Sequence, residues 1–273
     1  MADREKEKKT SASAVFLIFG VISLAVVLLI IFGSSLNEAL TDFLDFSSEE
    51  TKVNSYVINE TEKKDKISIK VPYVGMSGGF PTGCESASAL MLLAHADVTV
   101  SFDEFVDTYL EKAELKKNKK GNYIGPSPEQ AFIGNPRELS GYGCFAPVIE
   151  KSLNQVLADK GEEGMIYEVR NLTGSELLEL ESYIDQGYPV MIWATNHMGS
   201  TSKGTTWTVT GTKETFTWPR GEHSMVLKGY SSKYYYFLDP MDKSEAAYEK
   251  KLVEKRYEEL GKQAIVIVKN DVG

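Results

Sequence analysis

The chain has 273 residues, 42% of them hydrophobic, and a formal net charge of -9. That length suits one large domain, or one domain with an appendage, and the acidic balance argues against nucleic acid as the main partner, since such binding relies on basic surface. Two cysteines, Cys84 and Cys144, are too few for a disulfide scaffold and lack zinc-site spacing. A bond between them stays open at this stage, although it would consume a candidate nucleophile.

Met1 to Thr10 is charged, with Arg4, Lys6, Lys8 and Lys9, and residues 1–12 form a short N-terminal segment. From Ser13 to Phe32 almost every residue is apolar. About twenty such residues at ~1.5 Å rise match the ~30 Å hydrocarbon core of a bilayer, so residues 13–33 read as a transmembrane helix. The run is longer than the core of a cleaved signal peptide and no A-x-A site follows it, although a cut near Gly33-Ser34-Ser35 stays open. Basic residues precede the span and none follows until Lys52, which places the N-terminus in the cytoplasm and the remainder outside the cell. Residues 34–66 are polar and acid-rich and read as an extracellular spacer.

A globular domain is expected over residues 67–273. Ile67 to Val71 alternates like a strand. Gly79-Phe80-Pro81-Thr82-Gly83 is a turn-forming approach to a helix from Cys84 to about Ala96. Ser101 to Glu104 is a capping box for a second helix, with Phe102, Phe105, Val106 and Leu110 on one face. A long Gly/Pro-punctuated connection from Leu115 through Gly143 has the character of a cleft-lining loop. A third helix is expected from about Phe145 to Lys160, and a second capping box, Thr173 to Glu176, opens a fourth. Strands follow at Val190 to Ala194, Trp207 to Val209, Thr215 to Trp218, His223 to Tyr230 and Tyr234 to Asp239. The rings of Tyr234 to Phe237 are expected to point alternately in and out. A charged helix from Glu245 to Leu260 and a strand from Gln263 to Val268 close the chain. Helices first and strands later predict an α+β domain whose helical part packs on an antiparallel sheet.

Cys84 stands at a helix N-terminus, where unpaired N–H groups and the helix dipole favour a thiolate. Of three histidines, His95 is about three turns along the same helix, too far for contact with the thiol, and His197 lies in a polar loop. A hairpin turn near Ser231–Ser232 would set His223 opposite Asp239 to within about a residue. An aspartate so placed can fix the imidazole tautomer and stabilise its charged form, so nucleophile, base and orienter occur in the order Cys84, His223, Asp239. No pair of His, Cys, Asp or Glu shows a distinctive metal-ligand spacing, so no metal is expected, and no phosphate-binding glycine loop or other cofactor motif is present.

Pro81-Thr82-Gly83-Cys84-Glu85-Ser86, Gly143-Cys144, Pro189 to Thr195, Gly221 to Leu227 and Tyr236-Phe237-Leu238-Asp239-Pro240 together resemble the C-39-like peptidase family, a papain-like cysteine peptidase group related to bacteriocin leader peptidases. The resemblance runs from about Ile67 to the C-terminus. It implies a papain-like fold, a bacterial enzyme, membrane-anchored or secreted, that hydrolyses peptide bonds, and a peptide or protein substrate, with Cys84 as nucleophile, His223 as base and Asp239 as orienting acid. One departure concerns the oxyanion. The glutamine that such enzymes place shortly before the cysteine is absent around Gly75-Met76-Ser77, which leaves the Cys84 N–H and Ser77 as candidate donors. Losing one such donor costs about 10²–10³ in rate. The alternative is a weak or inactive papain-like module that binds a peptide or cell-envelope component through its loops at Tyr142, Gly143 and Trp218. A thiol hydrolase of cell-wall peptides would share the same three residues.

Overall fold

Residues 66–242 and 245–270 are described by the computed structural model. The expected segment 1–12, span 13–33 and nearly all of the spacer 34–66 lie outside them. Among the described residues no helix is long and apolar enough to cross a membrane.

A seven-stranded sheet carries the domain. Its strands are β1 (Ile67–Ser68), β2 (Tyr167–Asn171), β3 (Val190–Thr195), β6 (Glu222–Tyr230), β7 (Tyr234–Leu238), β8 (Glu245–Glu249) and β9 (Ala264–Lys269). Strands β4 (Ser202–Val209) and β5 (Thr215–Arg220) belong to a smaller sheet. The large sheet runs β8-β7-β6-β3-β9-β2, with β1 added to β6, and every pairing in it is antiparallel. At its centre β3 is buried along its whole length, as its unbroken apolar run requires of a strand covered on both faces.

Four helices do the covering: α1 (Cys84–His95), α2 (Ala146–Asp159), α3 (Leu177–Asp185) and α4 (Lys250–Glu259). Met191, Trp193, Val226, Ile265 and Ile267 join one hydrophobic cluster with Leu90, Met91 and Leu93 of α1 and Ile149 and Leu153 of α2. Helices α3 and α4 also pack on β3, with α3 on β6 and α4 on β7. The expected two layers are therefore three. The same arrangement corrects the reading of the tyrosine run, since all of β7 is buried instead of every second ring facing out. Tyr235 OH, for example, donates to Glu181 Oε1 of α3 at 2.7 Å.

Local signals held with shifts. Ser101 Oγ accepts the Glu104 N–H at 3.1 Å, but the helix it opens is one turn, Phe102–Glu104, continued by a wider π turn over Phe105–Tyr109. The second capping box is Glu176 with Glu179 and not Thr173 with Glu176, because Thr173-Gly174 form a turn, closed by the Ser175 N–H on Leu172 O, and the helix begins only after Glu176. The long connection is built from short ladders. Lys112–Ala113 pairs with Phe132–Ile133, Lys116–Lys117 with Tyr123–Gly125, and Tyr123–Gly125 joins β4.

Candidate active site

Gly83 caps α1 and Cys84 is its first residue. The approach is pinned from the long connection: the Thr82 N–H donates to Pro136 O at 3.2 Å, and its hydroxyl donates to Glu138 O at 3.0 Å. Phe80 stacks on Phe102 at 3.9 Å, and a Cβ at Gly83 would come within 3.1 Å of the Phe102 ring and of Phe80 Cβ, so glycine lets the turn close.

On the sheet side, β6 pairs with β3, His223 opposite Ala194. The β6–β7 ladder ends at Val226 with Leu238, after a register shift between Leu227 and Gly229. Continued register would set Met225, not His223, opposite Asp239. The expected direct pairing is thus displaced by two residues, because the innermost pair, Tyr230 with Tyr235, centres the turn between Ser232 and Lys233 and the bulge restores only one residue of the offset. The side chains still meet: His223 Nε2 and Asp239 Oδ1 are 2.8 Å apart, at 2% and 1% residue exposure. Asp239 Oδ1 also accepts the Met241 N–H at 2.9 Å. Burial pushes the Asp239 carboxyl up, but the His223 bond and charge, the Met241 N–H and the charge of His197 outweigh it and hold it below the ordinary range. An ionised Asp239 can only accept, so the proton between the two sits on His223 Nε2 and Nδ1 is left as the basic nitrogen.

Cys84 has company that the sequence did not announce. Its thiol donates to Glu85 Oε2 at 3.2 Å, while Glu85 Oε1 accepts the Cys144 N–H at 2.8 Å. Glu85 is fully buried. Among the described residues no hydrogen bond joins Cys84 to His223. Burial, then the nearby carboxyls of Glu85 and Glu222, push the Cys84 thiol well above its ordinary range against the lowering effect of the Ser224 N–H. This corrects the expectation of a thiolate favoured by the helix terminus, since desolvation and two acidic neighbours oppose the dipole. Burial likewise raises Glu85 to about 7, and burial together with Glu85 raises Glu222 well above an ordinary carboxyl.

The remaining candidates separate. Ser77 is exposed and lines a 290 Å³ pocket with Tyr73, Met76, Pro240 and Met241, next to Asp239 in the chain. Tyr73 OH and the Met76 N–H both donate to Pro240 O, which ties this upstream segment to the end of β7. Gly143, at φ +150°, packs between acids: a side chain there would come within 2.3 Å of Glu85 Oε1 and 3.1 Å of Glu222 Oε2. Tyr142 donates to Thr205 Oγ1 at 2.9 Å and meets Trp218 edge to face. Trp218 itself is 6% exposed and stacks on Phe145, within a cluster that includes Trp207 and Phe216. Cys84 and Cys144 are both free thiols. His95 is turned to Gly187 O at 2.9 Å. Glu85 and Glu222 are the residues that sequence reasoning missed; their one signal is adjacency, Glu85 directly after Cys84 and Glu222 directly before His223.

The profile of the Peptidase_C39 like family matches residues 68–265. The chain belongs to the C39-like peptidase family. It is similar to YvpB, an uncharacterised protein of Bacillus subtilis, with 26% identity over 188 residues that span 68% of this chain and 69% of that protein. A crystal structure of a candidate C39-like peptidase from Bacillus anthracis superposes with a TM-score of 0.64 at 26% identity, covering 75% of this chain and 98% of its own. The peptidase domain of streptococcal ComA, a bifunctional ABC transporter of a quorum-sensing pathway, matches at 14% identity and a TM-score of 0.39, over 72% of this chain and 95% of that one. That likeness is too distant to carry weight. Membership of the C39-like family identifies the domain as a peptidase module of the cysteine-peptidase type.

Proposed function

We propose that this C39-like chain is a membrane-tethered thiol peptidase that hydrolyses peptides or proteins outside the cell, with Cys84 as nucleophile, His223 as base and Asp239 as orienting acid. The observation that carries the reading is the buried 2.8 Å His223–Asp239 pair, with Asp239 held ionised and His223 Nδ1 left basic. In this mechanism the thiol turns from Glu85 and passes its proton to His223 Nδ1, and the sulfur attacks the scissile carbonyl. The protonated imidazole then gives that proton to the leaving amine. Water, deprotonated by His223, releases the acid from the thioester and restores the thiol. In this reading the Cys84 backbone N–H at the start of α1 serves the developing oxyanion, with Ser77 as the candidate second donor.

Incubation with a mixed peptide pool, read by mass spectrometry for new N-termini, tests the reading. Cleavage by the wild-type chain that disappears in Cys84→Ser supports it; equal product from both chains refutes it. A second reading, a peptide-binding module without turnover, is favoured by one observation: the Cys84 thiol is 6% exposed and is pushed up by burial and two carboxyls. Retention of peptides by both chains without cleavage by either would select it.

A further inference from the structure

Glu85 and Glu222 are a liability in the protein as it stands. Two carboxyls and a thiol converge so closely that one ligand atom from each of Cys84, Glu85 and Glu222 lies within 4.8 Å of the other two. Like charges at that spacing in a largely buried site, with Glu222 at its partly exposed edge, oppose each other's ionisation, and both carboxyls are displaced toward their neutral forms. Glu222 Oε1 is shut off from solvent and has no hydrogen-bond partner. Buried polar atoms are rarely left so, and one that is left asks for a ligand. Gly143 keeps space open beside the pair, space that the Cβ of any other residue would invade to 2.3 Å from Glu85 Oε1.

We propose that Cys84 Sγ, one oxygen of Glu85 and one oxygen of Glu222 form a three-ligand site for a zinc-class divalent cation. The donor set suits a borderline-soft ion: one thiolate at ~2.3 Å and two carboxylate oxygens at ~2.0–2.2 Å, with a fourth tetrahedral position left for water. The resting 3.2 Å between Cys84 Sγ and Glu85 Oε2 is already close to the edge of such a tetrahedron. On binding, the sulfur–metal bond forms as the Cys84 S–H bond breaks, and its proton goes to solvent with any proton held by the carboxyls. The two positive charges of the cation then offset all but one of the negative charges on three groups that otherwise repel. On the peptidase reading above, on which this consequence alone rests, the occupied site holds the nucleophile and keeps the enzyme off until the metal is withdrawn.

The full chain, untagged and freed of metal, is titrated with Co²⁺, followed by absorbance, and then with Zn²⁺ in competition. The expected result is a thiolate-to-cobalt charge-transfer band with one-to-one stoichiometry, displaced by Zn²⁺. Cys144→Ala keeps the band, Cys84→Ser abolishes it, and Glu222→Gln weakens binding at least tenfold while its circular dichroism matches wild type. Zn²⁺ also protects Cys84 from iodoacetamide in the wild type and not in Glu222→Gln. Absence of the band, its survival in Cys84→Ser, or unchanged affinity in Glu222→Gln overturns the site. None of these readings requires peptide cleavage, so failure of the peptidase reading leaves a different record from failure of the metal site.

Discussion

At Asp239 one oxygen takes both the His223 ring and the Met241 N–H, while Oδ2 is buried without a partner. A carboxyl so held must stay ionised, and its depressed folded pKa has a stability consequence. Asp239 contributes stability that is fully present above the unfolded carboxyl value of about 3.9 and is lost as pH falls through its lower folded value. Asp239→Asn should therefore lower unfolding free energy by about 2 kcal/mol at pH 7, the order of a hydrogen bond to a charged group. Urea denaturation at pH 7 and again near pH 3 checks this. The gap between variant and wild type should shrink at the lower pH, and a gap that stays constant would mean the carboxylate is not held ionised. Cys84 and His223 were legible at this scale because a turn into a helix and a histidine opening an apolar strand are local patterns. Glu85 and Glu222 were not, because a buried acid pair exists only once α1 and β6 have met.

Among the elements, α1 was legible almost to the residue, since Gly79-Phe80-Pro81-Thr82-Gly83 ends where good helix formers begin. The β6–β7 hairpin was legible as a hairpin and not in register, because nothing in Ser231-Ser232-Lys233 says that the turn centres one residue later than Ser231–Ser232, and nothing in Leu227-Lys228-Gly229 announces a bulge that takes one residue back. Helix α4 makes the opposite case. Its charged sequence was expected to be helical from Glu245, yet Glu245–Glu249 is strand β8, and within the helix that follows Val253 and Tyr257 are 0% and 1% exposed. Tyr257 OH donates to Ser175 O at 3.1 Å, which ties α4 to the approach of α3. Tyr257→Ala should cost about 3–5 kcal/mol, the range for removing a buried aromatic ring, measured by urea unfolding. A loss below ~1 kcal/mol would show that α4 does not help to close the second face of the sheet.

For the molecule as a whole, the order of helices and strands gave the α+β class but not the third layer. Amphipathic α3 and charged α4 do not declare in sequence which face of the sheet they will cover. The family profile covers residues 68–265. Upstream, the apolar run from Ser13 to Phe32 motivates the proposed tether. The full chain, expressed in a bacterium, should stay with membranes through alkaline carbonate washing, and protease added outside spheroplasts should digest the domain. Recovery of the full chain in the soluble fraction, or full protection from external protease, would contradict that placement.

All three scales meet at the sulfur of Cys84. The most direct test is reaction of the metal-free chain with a peptide carrying a thiol-reactive electrophile, followed by intact mass and peptide mapping. A single adduct on Cys84 is predicted, formed about 10²–10⁴-fold more slowly in His223→Ala, the range for loss of a general base. Equal labelling rates in the two chains, or an adduct on Cys144 instead, would contradict the account.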